Sequence, residues 1–240
     1  MIFHSIVFSL GDPQKNEYLY MLALLIQSLK KTGTYIPSED KYYVMADAAT
    51  IPLLKEMIQL QSVEILEIPK PADVYDGMQY KYRLFDYAPV SDDNVMYIDV
   101  DMICLRPSRH TIGADRLYVF PEGSKHDDNY RGDSDYLLPF GAGFTAGFFM
   151  YRWGQRVEAT FDSILRNMAG TKVRFYTLDQ PWFNRALDYA TGCVGFLPGT
   201  FISFNGHNNR GVASFLNLAG IPGDGPFHFR KALSLYLSVF

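Results

Sequence analysis

Apolar residues run almost unbroken from Ile2 to Leu10 (Ile2, Phe3, Ile6, Val7, Phe8, Leu10) before Gly11-Asp12-Pro13 stops them. That is the pattern of a strand buried on both faces, as in a parallel sheet. The period then changes. Leu19, Leu22, Ala23, Ile26 and Leu29 recur every three to four residues, behind Asn16 as a candidate N-cap and ahead of Lys30, Lys31 and a terminating Gly33. This spacing predicts an amphipathic helix. Lys41 to Ala46 reads as a strand, Ile51 to Leu60 as a helix, and Val63 to Ile68 as a strand closed by Pro69 and Pro71. Such alternation lays helices over a mostly parallel sheet, an α/β fold.

A helix is expected from Gln79 to Tyr87, then a hydrophobic strand from Asn94 to Ile103 that turns acidic at Asp99 and Asp101. Beyond it come a strand at Leu117 to Phe120 and a polar stretch from Gly123 to Tyr136, whose four aspartates and two glycines suit a surface loop or lid. Gly147 to Tyr151 and Val194 to Leu197 read as strands, Arg156 to Met168 and Leu178 to Tyr189 as helices, and Gly199 to Gly225 as a loop-rich tail. The apolar run Ala232 to Phe240 reads either as a helix packed on the domain or as a contact to a further segment.

With 240 residues and no internal repeat, the chain fits one domain with a sizeable core that needs neither disulfide nor metal to fold. Its 22 basic and 26 acidic residues give a net charge of −4, and no basic run exceeds two residues, which argues against nucleic acid as a partner. Two distant cysteines, Cys104 and Cys193, exclude a disulfide scaffold and a cysteine zinc cluster. The longest apolar run, Leu19 to Ile26, is far short of the ~20 residues of a membrane span. No basic leader precedes Ile2, so a cytoplasmic protein is expected.

Chemistry concentrates at Asp99 and Asp101. Two carboxylates delivered by a buried strand to a sheet edge can present hard oxygen ligands to a divalent cation, and leaving them there without a cation or partner is costly. Two ion-paired surface aspartates are the bland alternative. A phosphatase of the haloacid dehalogenase type, with Asp99 as nucleophile, is a rival, although that chemistry usually uses the first strand. His228 between two phenylalanines can equally be a packed residue, with His207 a competing ligand. Gln180 can be an ordinary helix residue, and Arg83 can simply pair with Asp86.

The segment Val95-Met96-Tyr97-Ile98-Asp99-Val100-Asp101-Met102-Ile103 resembles the Asp-x-Asp strand of the GT-A glycosyltransferases, especially the glycogenin-like and lipopolysaccharide galactosyltransferase group (family 8-like). Further segments resemble that group in order: Tyr82-Arg83-Leu84-Phe85-Asp86-Tyr87; Thr145-Ala146-Gly147-Phe148-Phe149-Met150; Leu178-Asp179-Gln180-Pro181; Phe204-Asn205; and Phe227-His228-Phe229. Thr145 stands where the family has Asn, Pro181 where it has a second Asp, and the Gly-x-x-Lys-Pro-Trp after the histidine is absent, with Arg230 and Lys231 standing closer.

The resemblance implies a GT-A domain over residues 1–240, with 1–107 the nucleotide half and 108–240 the sugar and acceptor half. It implies transfer of a hexose from a UDP-sugar to a carbohydrate or other hydroxyl acceptor, with retention and with Mn²⁺ or Mg²⁺ held by Asp99, Asp101 and His228. Ser9, Leu10 and Gly11 would lie against the nucleotide, with Val100 between the metal ligands. Arg83, Arg230 and Lys231 would meet the donor, Thr145, Ala146 and Gly147 would flank its sugar, Gln180 would sit by the anomeric carbon, and Asp179 would grip sugar hydroxyls. A catalytically silent nucleotide-sugar binding module is the competing class.

Overall fold

The computed structural model describes residues 1–58, 62–124, 127–132, 138, 140–170, 174–187, 190, 192–204, 211–218 and 226–240. In chain order the elements are β1 (Ile2–Val7), α1 (Tyr18–Lys31), β2 (Lys41–Asp47), α2 (Ile51–Met57), β3 (Val63–Ile68), α3 (Val74–Met78), α4 (Leu84–Tyr87), β4 (Asn94–Ile98), β5 (Met102–Cys104), β6 (Arg116–Ser124), α5 (Asp128–Arg131), β7 (Ala142–Arg152), α6 (Gln155–Gly170), α7 (Gln180–Ala186), β8 (Val194–Phe196), β9 (Ile202–Phe204), β10 (Phe215–Asn217) and α8 (Pro226–Val239). The principal sheet has the order β3-β2-β1-β4-β7-β6-β8, and a second has the order β5-β10-β9. The chain divides into two compact units, one of residues 1–70, 98–110 and 200–240, the other of residues 71–97 and 111–199.

In the first unit β1, β2 and β3 are parallel, with Ile2 opposite Lys41 and Tyr42 opposite Val63. All six residues of β1 are buried, as its unbroken apolar run predicts. Even its polar members are absorbed. The Ser5 hydroxyl donates to the Ile98 carbonyl at 2.6 Å, and burial pushes the His4 pKa down to about 3, which keeps its imidazole neutral. Helix α1 buries Leu19, Leu22, Leu25, Ile26 and Leu29. Met21 adds to a cluster with Ile103, Leu216, Leu218 and Ala232, so α8 is a helix packed on this unit. The N-cap of α1 is Glu17 rather than the expected Asn16, which stands one residue outside and accepts the Tyr18 N–H at 3.1 Å. Gly33, at φ 69°, ends the helix in the left-handed region that glycine adopts without cost.

The second unit is built on β7, whose nine central residues are all buried. It pairs antiparallel with β6, Leu117 opposite Tyr151, and β6 pairs parallel with β8. Aromatic rings fill its core: Phe149 stacks on Tyr97 at 4.8 Å and on Tyr82 at 5.7 Å, and Phe161 meets Tyr151 edge-on at 5.0 Å. Helix α6 brings Phe161 with Val157, Ile164 and Met168. Asp115, in the left-handed region at φ 52°, caps α6 from outside, its Oδ1 accepting the Arg156 and Val157 N–H groups at 2.8 and 3.1 Å. Gly154 leaves it room, since a Cβ there would lie 2.6 Å from that carboxylate. Asp115→Ala should therefore lower stability by about 1–2 kcal/mol, read as a smaller urea midpoint at unchanged slope; an unchanged midpoint would show the cap to be idle.

Three expectations need correction. The helix from Gln79 to Tyr87 is a 3₁₀ turn over Gln79–Tyr82 followed by α4, because Tyr80, Lys81 and Tyr82 are all buried and three consecutive residues cannot share one face of an α-helix. The strand through Asp99 and Asp101 ends at Ile98, and the chain turns before β5 starts in the other sheet. The tail is not all loop: β9 and β10 pair in parallel, and β10 pairs antiparallel with β5.

Candidate functional site

In the first unit the candidates gather at the carboxyl ends of the strands, the edge where α/β sheets bind ligands. Just past β1, Ser9 is buried and its N–H donates to Asp47 Oδ1 at 3.1 Å. The Thr50 hydroxyl donates to the same oxygen at 2.5 Å, and Asn16 Nδ2 donates to Ser9 Oγ at 2.8 Å. This network ties the loop after β1 to the end of β2 and the start of α2. Leu10 and Gly11, the next residues, are exposed.

Asp99 and Asp101 are half-buried in the turn after β4, with Val100 buried between them as its anchor. The Asp101 carbonyl accepts the Leu218 N–H at 2.9 Å, which fixes the turn to β10. Burial first, then the Asp101 and Asp99 carboxylates, push the Tyr18 hydroxyl above its ordinary pKa, so both acids act on one neighbourhood. Two hard carboxylates suit Mn²⁺ or Mg²⁺, and among the described residues no further His, Cys, Asp or Glu completes a three-residue metal cluster. Arg230 is exposed on α8. The side chains of His228 and Lys231, and all of Asn205 and His207, lie outside the described residues.

In the second unit the candidates line β7 and the start of α7. Asp179 is buried at 2% exposure, where Lys81 Nζ meets its Oδ1 at 3.3 Å and the Tyr82 hydroxyl donates to its Oδ2 at 2.5 Å. Lys81 also donates to the Ala146 carbonyl at 3.4 Å and lies 5.6 Å from the Tyr97 ring centre. Gln180 spends both ends of its amide: Oε1 accepts the Ala146 N–H and Nε2 donates to the Asn129 carbonyl, each at 3.1 Å. Asn184, one turn on, clasps Phe144 through both its backbone groups at 2.8 Å. Thr145, buried, accepts the Gly147 N–H at 3.2 Å. Leu178, at φ 56°, sits in a region that costs a branched side chain roughly 1–2 kcal/mol, the sort of strain that gathers at functional sites.

Arg83 pairs at 3.8 Å with Asp86, the arginine half-buried and the acid exposed, as the bland reading has it. Sequence reasoning passed over Lys81, and one signal for it was there: a lysine between tyrosines in a segment rich in buried aromatics needs an acid to answer it.

The sequence matches no family model and no curated protein. Solved structures match its fold, two glycosyltransferases among them. The galactosyltransferase LgtC, in complex with donor and acceptor sugar analogues, superposes with a TM-score of 0.61 at 12% identity, over 99% of this chain and 96% of that one. This chain has a GT-A glycosyltransferase fold. The apo structure of the bifunctional glycosyltransferase WbbM superposes with a TM-score of 0.62 at 14% identity, over all of this chain and 51% of that one, so this GT-A chain spans about half the length of WbbM. Among the described residues of the GT-A chain no helix is long and apolar enough to cross a membrane.

Proposed function

We propose that the chain is a metal-dependent retaining glycosyltransferase that moves a hexose from a UDP-sugar to a carbohydrate or other hydroxyl acceptor. The observation that carries this reading is the turn Asp99-Val100-Asp101, with two carboxylates facing one neighbourhood at a strand end of a GT-A fold. Mn²⁺ or Mg²⁺, when bound, neutralises the charge that builds on a departing diphosphate. Asp99 and Asp101 would hold it, joined by His228 in the set that the family resemblance implies. Ser9, Leu10 and Gly11 face the nucleotide, while Arg83, Arg230 and Lys231 supply positive charge to the donor.

Thr145, Ala146 and Gly147 flank the sugar and Asp179 anchors it. Gln180 sits by the anomeric carbon, and for it to turn there it must give up its bond to Ala146 or to Asn129. An amide is a poor nucleophile, so same-face substitution through an oxocarbenium-like ion pair fits better than a covalent intermediate.

A thermal-shift panel of nucleotide diphosphate sugars with and without Mn²⁺ tests the reading, since a ligand of the native state raises its melting temperature. A metal-dependent rise with one UDP-sugar is expected. A flat response to every nucleotide sugar would sink the proposal and turn attention to phosphomonoesters; binding without transfer or donor hydrolysis would mark a silent binding module.

A further inference from the structure

Gly123 on β6 and Gly143 on β7 stand directly opposite each other across their antiparallel pair, so two bare backbones share one face of the sheet. Tyr130 of α5 fills the space they leave. A Cβ added at Gly123 would fall on Cδ2 and Cε2 of that ring, and one added at Gly143 on its Cγ. The tyrosine is 5% exposed, and its hydroxyl bonds to the Glu122 carboxylate. Helix α5 is a single turn of four residues, too short to stand alone, so its place is set by what it packs on.

The other side of α5 meets the start of α7 through its backbone. The Asn129 carbonyl accepts Gln180 Nε2 at 3.1 Å and the Thr177 hydroxyl at 2.7 Å, and the Arg131 carbonyl accepts Arg185 Nη2 at 3.2 Å. Gly132 approaches Pro181 so closely that an added Cβ would lie 2.7 Å from its side chain. The donor and acceptor inventory then fixes the Gln180 amide. The Asn129 carbonyl can only accept and the Ala146 N–H can only donate, so the NH₂ end faces Asn129 and the oxygen faces Ala146. Giving up Asn129 would free the NH₂, whose partial positive charge repels an oxocarbenium-like sugar. Giving up Ala146 frees the oxygen, whose partial negative charge stabilises that sugar.

We propose that Tyr130, seated on Gly123 and Gly143, is a positioning residue for Gln180: it holds the Asn129 carbonyl on the Gln180 NH₂, so that the amide oxygen is the end free to face the anomeric carbon. The role in transfer rests on the transferase reading; the hold on the Gln180 amide does not.

The test compares the full wild-type chain with Tyr130→Phe, Tyr130→Ala, Gly123→Ala and Gln180→Ala. One readout is the Gln180 side-chain NH₂ signal in a proton–nitrogen correlation spectrum, assigned by its loss in Gln180→Ala. The other is kcat and donor KM, by transfer or donor hydrolysis, with Mn²⁺ and the UDP-sugar that the thermal-shift panel selects. Tyr130→Ala empties the seat and Gly123→Ala blocks it, so both should move the amide signal and lower kcat about ten-fold or more at an unchanged donor KM. Tyr130→Phe keeps the ring and should stay near the wild type in both readouts. Added to Gln180→Ala, Gly123→Ala should slow turnover no further, because the residue it acts through is gone. The proposal is overturned if the amide signal stays in place in Gly123→Ala, if kcat there is unchanged, or if the loss of kcat persists undiminished in the Gln180→Ala background. Gly123→Ala alone carries this decision if Tyr130→Ala fails to fold. An amide signal that moves in a protein that turns over no nucleotide sugar keeps the hold on Gln180 and sinks the transferase reading.

Discussion

Lys81→Met should cost the protein about 3–5 kcal/mol, a large share of a typical domain's stability. The lysine and its partner Asp179 are both nearly closed to solvent, with side chains 4% and 3% exposed. Removing the lysine leaves a buried carboxylate answered only by the Tyr82 hydroxyl, and an uncompensated buried charge is far more expensive than a lost surface contact. The same substitution logic at a more open pair gives the contrast: Arg83→Ala, which loses the 3.8 Å contact to the exposed Asp86, should cost about 1 kcal/mol or less. A double variant, Lys81→Met with Asp179→Leu, should recover much of the loss, because it removes both charges together. Urea unfolding of all four proteins gives the comparison. If Lys81→Met costs no more than Arg83→Ala, then water reaches Asp179 and the pair is not a buried one. The consequence for function is local: Asp179 precedes Gln180 at the start of α7, so the charge that holds Asp179 also sets where Gln180 begins.

That pair explains what the sequence could and could not disclose. Strand β1, helix α1 and strands β2 and β3 were legible because their periodicity is local, and Asn16 and Gly33 mark the ends of α1 by short-range chemistry. Lys81 and Asp179 stand 98 residues apart, so no window along the chain contains both. The short strands β9 and β10, three residues each, are defined by their partners rather than by any pattern of their own. The Asp99-Val100-Asp101 segment was legible as chemistry but not as geometry: residue identity showed two acids after an apolar run, and only tertiary pairing put a turn where continued alternation suggested a strand.

The acids in that turn carry the second large expectation. Asp99→Ala or Asp101→Ala should weaken Mn²⁺-dependent UDP binding about 100-fold or more, the upper end of what loss of a supporting group costs a metal site, because these two carboxylates are the ligands themselves. Both side chains are half-buried in a turn held by Val100 and by the bond from Leu218 to the Asp101 carbonyl, and neither substitution touches those anchors. The melting temperature without ligand should therefore stay within a few degrees of the wild type, a ΔΔG of about 1 kcal/mol or less. Mn²⁺ binding followed by electron paramagnetic resonance in the absence of nucleotide separates the cation from the base and sugar. Loss of Mn²⁺ affinity in both variants would place the ion on these acids. Retention of Mn²⁺ and UDP affinity in either one would remove that residue from the metal site. The two variants need not behave alike, because Asp101 leads into β5 and shares its backbone with β10, whereas Asp99 follows the last residue of β4 directly. A larger loss at Asp101 would identify the acid on the more rigid support as the principal ligand, since a carboxylate held in place loses less entropy when it closes on an ion.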